Sequence, residues 1–246
     1  MNQLNPVSKN PLVLVPGIDG TGLLFYRQLP LLERRYAVTT TRLRDDAARM
    51  GDLVADLHDA VSAAAPDGRP VTLLGESFGG ALTLSYAVAH PQRVARLVIL
   101  NSFAHVDSKA RLSLGYHVLR AMPWSLMPVV RRLNASRMHS PHTSREEVRR
   151  FLGLMRATTR DGYLSRLRIL RDYDIRGRLP EIISPTLYLA ADCDHLVPSV
   201  QQARLMQSLT PGSAIRVLEG HGHSCLVAPD LDLGSILEEW MAREDR

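Results

Sequence analysis

A serine between two glycines is the first candidate for chemistry in this sequence. Residues 75–79 read Gly-Glu-Ser-Phe-Gly, after the apolar run at 71–74 and before a run at 80–84 that suits a helix. The pattern predicts a strand, a sharp turn and a helix, with glycines leaving room for a strained backbone that lifts the Ser77 hydroxyl toward a substrate. A five-residue motif can occur by chance. The assignment of Ser77 as a nucleophile therefore also requires a base, an acid and an oxyanion hole elsewhere in the chain.

An acid and a base follow Ser77 in the chain. Asp194 and His223 each lie just beyond a predicted strand, as does Ser77. A neutral imidazole can take the serine proton, and a carboxylate can hold the other imidazole proton and stabilise the imidazolium. The carboxyl ends of parallel strands converge on one edge of a sheet, so the three side chains could meet there. Asp192 and His221 lie two residues away and leave each choice open.

Alternating apolar runs and helical patterns must position these residues. Short apolar runs predict buried strands, and apolar residues at helical spacing separate most of them. Such alternation predicts an α/β fold, a mostly parallel doubly wound sheet with helices on both faces and right-handed crossovers. The predicted strands are 11–15, 36–42, 71–74, 94–100, 184–190 and 214–218, and the predicted helices are 23–35, 52–64, 78–89, 199–209 and 231–241.

The pattern changes between residues 103 and 178. This segment has no strand-like run, is interrupted by Pro123 and Pro128, and holds four of the chain's eight Met. Residues 144–147 form an S-x-x-E capping box that starts one helix, and residues 163–170 suit another. We expect a helical cap, a candidate lid over a hydrophobic pocket, on a core formed by 1–102 and 179–246. A purely structural appendage is the alternative.

Positive charge is concentrated in the same part of the chain. The net charge is only +5, but residues 103–185 hold 16 Arg and Lys against seven Asp and Glu. The remainder has a surplus of four negative charges. A basic cap could attract anionic substrates or make peripheral contact with an anionic membrane surface, although solvated helix faces would look the same. We expect no nucleic-acid partner.

Composition and the first residues bear on compartment. The chain has 246 residues, 45% of them hydrophobic, and no apolar stretch approaches the ~20 residues of a transmembrane helix. Residues 1–6 lack the basic start and apolar core of a signal peptide, which favours a soluble, cytoplasmic protein. In such a compartment Cys193 and Cys225 are expected to be two buried residues without a disulfide bridge.

Two cofactor hypotheses are weak. The glycine-rich loop at 16–22 follows a strand, as phosphate-binding loops do, but its G-x-x-G-x-G spacing is not the dinucleotide G-x-G-x-x-G. The next strand does not end in a clear ribose-binding acid either. His139 and His142 could be proposed as metal ligands, yet no carboxylate or cysteine lies near them in the sequence. We therefore predict no cofactor and no metal.

From Val13 to the terminal helix, the chain resembles serine-nucleophile α/β-hydrolases with a helical cap before the penultimate strand. Beyond the elbow at 75–79, residues 175–186 resemble the segment that leads out of the cap in many members. Residues 194–198, Asp-His-Leu-Val-Pro, resemble the D-x-x-V-P around the family's acid, and Gly-His at 222–223 resembles its G-H. The resemblance favours Asp194 over Asp192 and His223 over His221.

The oxyanion hole needs two backbone N–H groups. The residue after the nucleophile, Phe78, supplies one. Pro16-Gly17 stands where the family commonly has His-Gly, so the resemblance implies the amide of Ile18 as the second. Residues 16–22 also resemble the opening of the hydrolase domain of phytyl ester synthase-like proteins. Those proteins carry a second acyltransferase domain, which we do not expect here, so hydrolysis is favoured over acyl transfer.

The resemblance implies a carboxylic ester hydrolase of esterase or lipase type. It would act through an acyl-serine on a small-molecule or lipid-like ester with an apolar acyl group. Serine in the elbow, where dehalogenases and epoxide hydrolases of this fold have Asp, argues against those chemistries. An acyltransferase or thioesterase with the same triad is the first alternative, and a ligand-binding protein without turnover is the second.

Overall fold

The computed structural model describes residues 9–244, apart from the side chain at position 136, and a β-sheet forms its centre. Within that part of the chain the strands are β1 Asn10–Val15, β2 Tyr36–Thr40, β3 Val71–Glu76, β4 Val94–Leu100, β5 Thr186–Ala191 and β6 Ser213–Leu218. Their order is β2-β1-β3-β4-β5-β6, and every neighbouring pair is parallel. The predicted α/β fold is confirmed.

Helices lie on both faces of the sheet. Apart from short 3₁₀ turns, the described helices are α1 Leu29–Leu32, α2 Met50–Ala64, α3 Phe78–Ala89, α4 Lys109–Ala121, α5 Met127–Met138, α6 Arg145–Leu154, α7 Arg160–Arg171, α8 Ser199–Leu209 and α9 Leu233–Glu244. Outside the 103–178 segment, the helix predicted after the first strand is the one that differs most from the structure. A helix was predicted over 23–35, but a 3₁₀ turn, Leu23–Arg27, comes before the short α1. Pro30 in α1 cannot donate to a carbonyl one turn earlier, so a continuous helix through it is disfavoured.

Alternation along the central strands divides the core into two layers. Val13 and Val15 pack on one face, with residues of α2 and α3. Leu12 and Leu14 pack on the other, with residues of α9. Successive side chains of a strand point to opposite faces, so a continuous apolar run serves both layers. The sheet is thereby buried on both sides, and its carboxyl edge is held in a rigid position.

Between β4 and β5 the described chain is helical, with α4 to α7 and only one isolated bridge, His105 to Asp174. Pro128 does not interrupt this segment as expected, because it lies in the first turn of α5, where a missing N–H leaves no bond unmade. Ser144 caps α6, accepting a hydrogen bond from the Glu147 amide. The Glu147 carboxylate does not complete the predicted capping box. It accepts hydrogen bonds from Tyr26 and Arg27 and so ties α6 to the core.

None of the helices within residues 9–244 is long and apolar enough to cross a bilayer. Large apolar side chains of the α4–α5 region are exposed: Leu114, Val118, Leu126, Val129 and Leu133.

Cys193 and Cys225 are free, but only Cys225 is buried. The expected burial of Cys193 is therefore wrong, because it lies in the turn after β5 rather than within the strand.

Gly79 allows α3 to approach β1 closely. A Cβ at this position would lie 2.2 Å from the Val15 carbonyl oxygen and 2.5 Å from that of Pro16. Both oxygens belong to backbone that is held in or beside the sheet, so neither can move away easily. The strand–turn–helix unit at Ser77 therefore depends on a side chain being absent here.

We expect Gly79→Ala to lower the free energy of unfolding by about 2–3 kcal/mol in urea denaturation, because it overpacks this contact. Gly115→Ala in α4 is the matched control, since a Cβ there would meet no atom within 4 Å among residues 9–244 apart from its own helix backbone. That variant should gain up to about 1 kcal/mol from helix propensity. Equal stability of the two variants would contradict the proposed packing constraint.

Candidate active site

Ser77 has a strained backbone between β3 and α3. Its φ of 53° and ψ of −118° lie in a region that residues other than glycine rarely adopt. Such a conformation costs about 1–3 kcal/mol of stability. The turn is held by its neighbours: the Ser77 amide donates to the Leu100 carbonyl at 2.8 Å, and the Ser102 hydroxyl donates to the Ser77 carbonyl at 2.6 Å. These bonds fix the direction in which the Ser77 side chain leaves the sheet.

Three of the predicted site residues form one chain of contacts. Ser77 Oγ lies 3.1 Å from His223 Nε2, and His223 Nδ1 lies 2.7 Å from Asp194 Oδ2. All three side chains lie at the carboxyl edge of the sheet, after β3, β5 and β6. The two alternative candidates, Asp192 and His221, make other contacts. The Asp192 backbone amide donates to the Leu218 carbonyl, and the His221 ring bonds to the Glu219 carbonyl. The structure therefore brings Ser77, Asp194 and His223 together.

Asp194 is held as an ionised acceptor. Its Oδ1 accepts from the amides of Leu196 at 2.8 Å and Val197 at 2.9 Å, and its Oδ2 accepts from the Ser199 hydroxyl. Burial opposes ionisation, but the bonds from His223, Ser199 and Val197 outweigh it and hold the pKa of Asp194 below its usual value. Ser199 was not predicted from the sequence as a site residue; its signal was a hydroxyl at the start of α8, five residues after Asp194.

The charge of Asp194 acts in turn on His223. Burial lowers the pKa of this imidazole, but the hydrogen bond and charge of Asp194 outweigh burial, so the pKa of His223 lies above its usual value. In the neutral ring, Nδ1–H donates to Asp194, which leaves the Nε2 lone pair facing the Ser77 hydroxyl. That is the tautomer that a general base for this serine needs.

Asn101 holds the loop that carries His223. It has a φ of 47° directly after β4 and is fully buried. Its amide nitrogen donates to the His223 carbonyl at 2.9 Å, and its oxygen accepts from the Ala191 amide at 2.8 Å. One side chain thus joins the ends of β4 and β5 to the His223 loop. An asparagine immediately after a buried strand was the only sequence signal for this role.

Glu76 is a second carboxyl group beside His223, and it was not among the residues predicted from the sequence. It is only 7% exposed, and its Oε1 lies 3.8 Å from His223 Nε2. Burial raises the pKa of Glu76 to about 7, despite the neighbouring His223 charge and a hydrogen bond from the Gly17 amide. The signal was available in the elbow itself, where an acidic residue precedes the serine.

The two expected oxyanion donors lie in suitable elements. Phe78 is the first residue of α3, so its N–H has no carbonyl within the helix to bond. The loop that holds Ile18 runs beside the nucleophile, since a Cβ at Gly17 would lie 3.4 Å from the Ser77 Cβ. Both peptides therefore border the space in front of Ser77.

The chain also matches known proteins over most of its length. A family model described as alpha/beta hydrolase fold matches residues 10–227. The chain belongs to this family. Together with the hydrolase names of its relatives, this membership makes the protein a hydrolase.

Sequence relatives and solved structures agree on this family. The chain is 28% identical to "Putative carbamate hydrolase RutD" of Yersinia enterocolitica, over 97% of its own length and 89% of that protein. A hydrolase from Pseudomonas aeruginosa PA01 superposes with a TM-score of 0.83 at 24% identity, covering 95% of this chain and 90% of that one. The esterase EaEST from Exiguobacterium antarcticum gives 0.82 at 20%, covering 96% and 92%. At these identities the two structures show a shared fold.

In this hydrolase, Arg166 of α7 clamps the loop that holds Ile18. Its guanidinium is 1% exposed, and Nε donates to the Ile18 carbonyl at 2.9 Å. Nη2 donates to the Asp19 carbonyl at 3.3 Å, and Nη1 to that of Arg44 at 3.1 Å. Asp45 lies 3.4 Å away and balances part of the charge. A residue 148 positions away thus orients the predicted oxyanion loop, which no local pattern could reveal.

The segment between β4 and β5 also contacts the His223 loop of the hydrolase. The Ser224 amide donates to the Met138 carbonyl at 2.7 Å, and the Gly222 amide donates to the Ser140 hydroxyl at 3.1 Å. The backbone amides of the residues before and after His223 are therefore hydrogen-bonded to the end of α5 and to the residues that follow it.

Glu76 should make stability depend on pH. Its pKa is about 7 in the folded protein and 4.5 for an ordinary carboxyl, so between these values only the folded chain keeps the proton. The stability contributed by this group is full below pH 4.5 and is lost as pH rises through 7. In urea denaturation, Glu76→Gln should gain about 2–3 kcal/mol relative to wild type between pH 4.5 and pH 8. A constant difference across this range would show that Glu76 is already ionised at low pH.

Arg166→Met should slow reaction at Ser77 with a fluorophosphonate by about 10²-fold, because the loop that offers the Ile18 amide loses its anchor. Arg168→Met, an exposed arginine on the same helix, is the matched control and should react at nearly the wild-type rate. Stability is measured in parallel by urea denaturation. If Arg166→Met is folded and reacts as fast as Arg168→Met, Arg166 does not position the site.

Proposed function

We propose that this hydrolase cleaves carboxylic esters through an acyl-enzyme on Ser77. The observation that carries the proposal is the contact chain from Ser77 Oγ to His223 Nε2 at 3.1 Å and from His223 Nδ1 to Asp194 Oδ2 at 2.7 Å. This arrangement joins a nucleophile, a base and an orienting acid in the order that acyl transfer requires.

In the first step, His223 Nε2 takes the Ser77 proton while Oγ attacks the ester carbonyl. The imidazolium that forms is stabilised by Asp194 at Nδ1. Glu76 Oε1 lies 3.8 Å from His223 Nε2, and because the pKa of Glu76 is about 7, a fraction of the protein already carries this group as a carboxylate near neutral pH, where its charge favours the imidazolium. The tetrahedral oxygen is placed toward the amides of Phe78 and Ile18, which supply its hydrogen bonds.

In the second step, the tetrahedral intermediate collapses and the ester C–O bond breaks. His223 Nε2–H gives its proton to the departing alkoxide, which leaves as the alcohol, and the acyl group stays on Ser77. Water then attacks the acyl-serine, with His223 as base, and releases the acid and the free hydroxyl. The strained Ser77 turn needs no rearrangement between the two halves of this cycle.

We further propose that the segment 103–178 is a lid and that it receives an apolar acyl group. Phe151 and Met155 pack with Val227, four residues after His223, and Met138 packs against this cluster. One charged group borders the same region: Arg131 is buried and donates to the Met155 carbonyl. These apolar side chains support the proposal that the pocket receives an apolar acyl group. Because Arg131 is positively charged, a substrate whose acyl chain ends in a carboxylate is a useful second probe.

Carbamate hydrolysis is a second candidate for the same site. It is favoured by the similarity to RutD proteins, which cover this chain almost completely. A carbamate carbonyl would be attacked by Ser77 in the same way, so the difference lies in the substrate and not in the triad. An acyltransferase, a thioesterase or a non-catalytic binding protein would likewise leave the triad unchanged. Membrane contact through the basic cap stays a prediction, which sedimentation with anionic vesicles would test.

We expect the wild type to hydrolyse p-nitrophenyl esters across a series from short to long acyl chains. Ser77→Ala should lose at least about 10³-fold in kcat. Asp194→Asn should lose about 10³- to 10⁴-fold, because its amide favours the wrong tautomer of His223. Asp192→Asn is the matched control and should stay within a few-fold of wild type.

Several outcomes would decide between the candidates. If the wild type cleaves none of the esters and does not react with a fluorophosphonate, the esterase proposal is wrong. Faster cleavage of matched p-nitrophenyl carbamates would favour the second candidate, and ester formation with added alcohols would favour acyl transfer. An unchanged chain-length preference in Met138→Ala would count against the apolar lid pocket.

A further inference from the structure

Three side chains that the proposed mechanism does not use meet at the edge of the cap. His142 lies between α5 and α6, His221 follows β6, and Asp230 precedes α9. His142 Nε2 is 2.7 Å from Asp230 Oδ1, and His221 Nε2 is 3.7 Å from the same oxygen. The three candidate donor atoms all lie within 4.8 Å of one another. They come from distant parts of the sequence and converge on one point.

The hydrogen bond of the other His221 nitrogen decides what its Nε2 can bind. Nδ1 lies 2.9 Å from the Glu219 carbonyl oxygen, which can only accept, so Nδ1 carries the hydrogen. In the neutral ring, Nε2 is then a bare lone pair. It is buried, and no hydrogen-bond partner is found for it among the described residues. The Asp230 carboxylate, another acceptor, lies 3.7 Å from it. Two acceptors that face each other call for a cation between them.

We propose that His142, His221 and Asp230 form a zinc site. Two imidazole nitrogens and one carboxylate oxygen are ligands that zinc prefers, whereas magnesium and calcium favour sites built from oxygen alone. Tetrahedral zinc at about 2.0–2.1 Å from each ligand would set them about 3.3 Å apart. His142 and Asp230 have half-exposed side chains, with 41% and 52% of their surface accessible, and can open to that spacing around the buried His221. A water molecule would complete the coordination.

A direct ion pair explains the cluster less well. If His221 were an imidazolium, its Nε2–H would be expected to reach Asp230 at hydrogen-bond distance, but the separation is 3.7 Å. His142 already occupies that carboxylate oxygen. The Nδ1 bond to Glu219 is also the kind of outer-shell contact that orients metal-binding histidines.

This proposal departs from the sequence-based expectation of no metal. That expectation concerned His139 and His142, which lack a neighbouring carboxylate in the sequence. The structure separates the two: His139 is buried with its ring 4.6 Å from that of Phe151. The carboxylate that His142 meets is 88 residues away, so sequence spacing could not reveal it.

Zinc here would join the cap segment to the loop that carries His223. His142 belongs to the first, and His221 and Asp230 to the second. The bond would add to the hydrogen bonds that Ser224 and Gly222 make with Met138 and Ser140. The role proposed is therefore structural, and no step of ester cleavage passes through the metal.

Zinc binding is tested on the full chain after treatment with a chelator, by titration calorimetry with Zn²⁺ alone. We expect one zinc per chain, and at a hundredfold excess over Kd a rise in Tm of about 5–10 °C. Cobalt bound at the same site should show the visible absorption of a tetrahedral ion with nitrogen and oxygen ligands. These readouts do not use catalytic activity, so they are independent of the proposed esterase function.

His142→Ala and Asp230→Asn should each weaken zinc binding by about 100-fold or more and abolish the rise in Tm. Both residues are exposed, so the variants are expected to fold, which their far-UV circular dichroism checks. His117→Ala, an exposed histidine of α4, is the matched control and should bind as wild type does. The proposal is overturned if wild type binds no zinc, or if His142→Ala and Asp230→Asn bind it as tightly as His117→Ala.

Discussion

The close approach of α3 to the edge of the sheet is the constraint on which the rest of the site depends. Ser77 is held at a positive φ by its neighbours: its amide is bonded to the end of β4, its carbonyl accepts from Ser102, and Gly79 lets the helix touch the end of β1. Burial of apolar side chains on both faces of the sheet offsets the conformational strain at Ser77 and stabilises the strand–turn–helix unit that contains it. A nucleophile held this way loses no conformational freedom when it reacts.

The partners of Ser77 are positioned by the same edge. Asn101 extends β4 toward the His223 loop, and the amides after Asp194 bind its carboxylate at the end of β5. Each catalytic candidate is thus oriented by hydrogen bonds with groups that lie at or just beyond the ends of the strands. The electrostatic balance follows from this geometry, since Asp194 can raise the pKa of a buried His223 only at a fixed short distance.

Features that depend on neighbours in sequence were predictable, and features that depend on distant contacts were not. The strands and α3 could be predicted because apolar runs and paired glycines act locally. The prediction of one helix over 23–35 is wrong because Pro30 cannot make the hydrogen bond that a continuous helix needs, although the apolar spacing suits one. At Ser144 the predicted cap is present, but the Glu147 side chain bonds to Arg27 of the core and not back to the cap. Arg166 contacts the Ile18 loop from 148 residues away, so no local pattern indicated its role. Asn101 and Ser199 had only weak local signals, a polar residue after a strand and a hydroxyl at the start of a helix, and their contacts with the His223 loop and with Asp194 appear only in the fold.

The cap segment is bonded to both halves of the candidate site, and this restricts how a lid could move. Arg166 holds the loop of Ile18 through the Ile18 carbonyl, and Met138 holds the loop of His223 through the Ser224 amide. Movement of α7 would release the first, and movement of α5 the second. Because the buried guanidinium and the carbonyls it binds would each lose partners, opening at α7 is the costlier motion. A substrate entrance is therefore better accommodated on the side of α4 and α5, where large apolar side chains already face solvent.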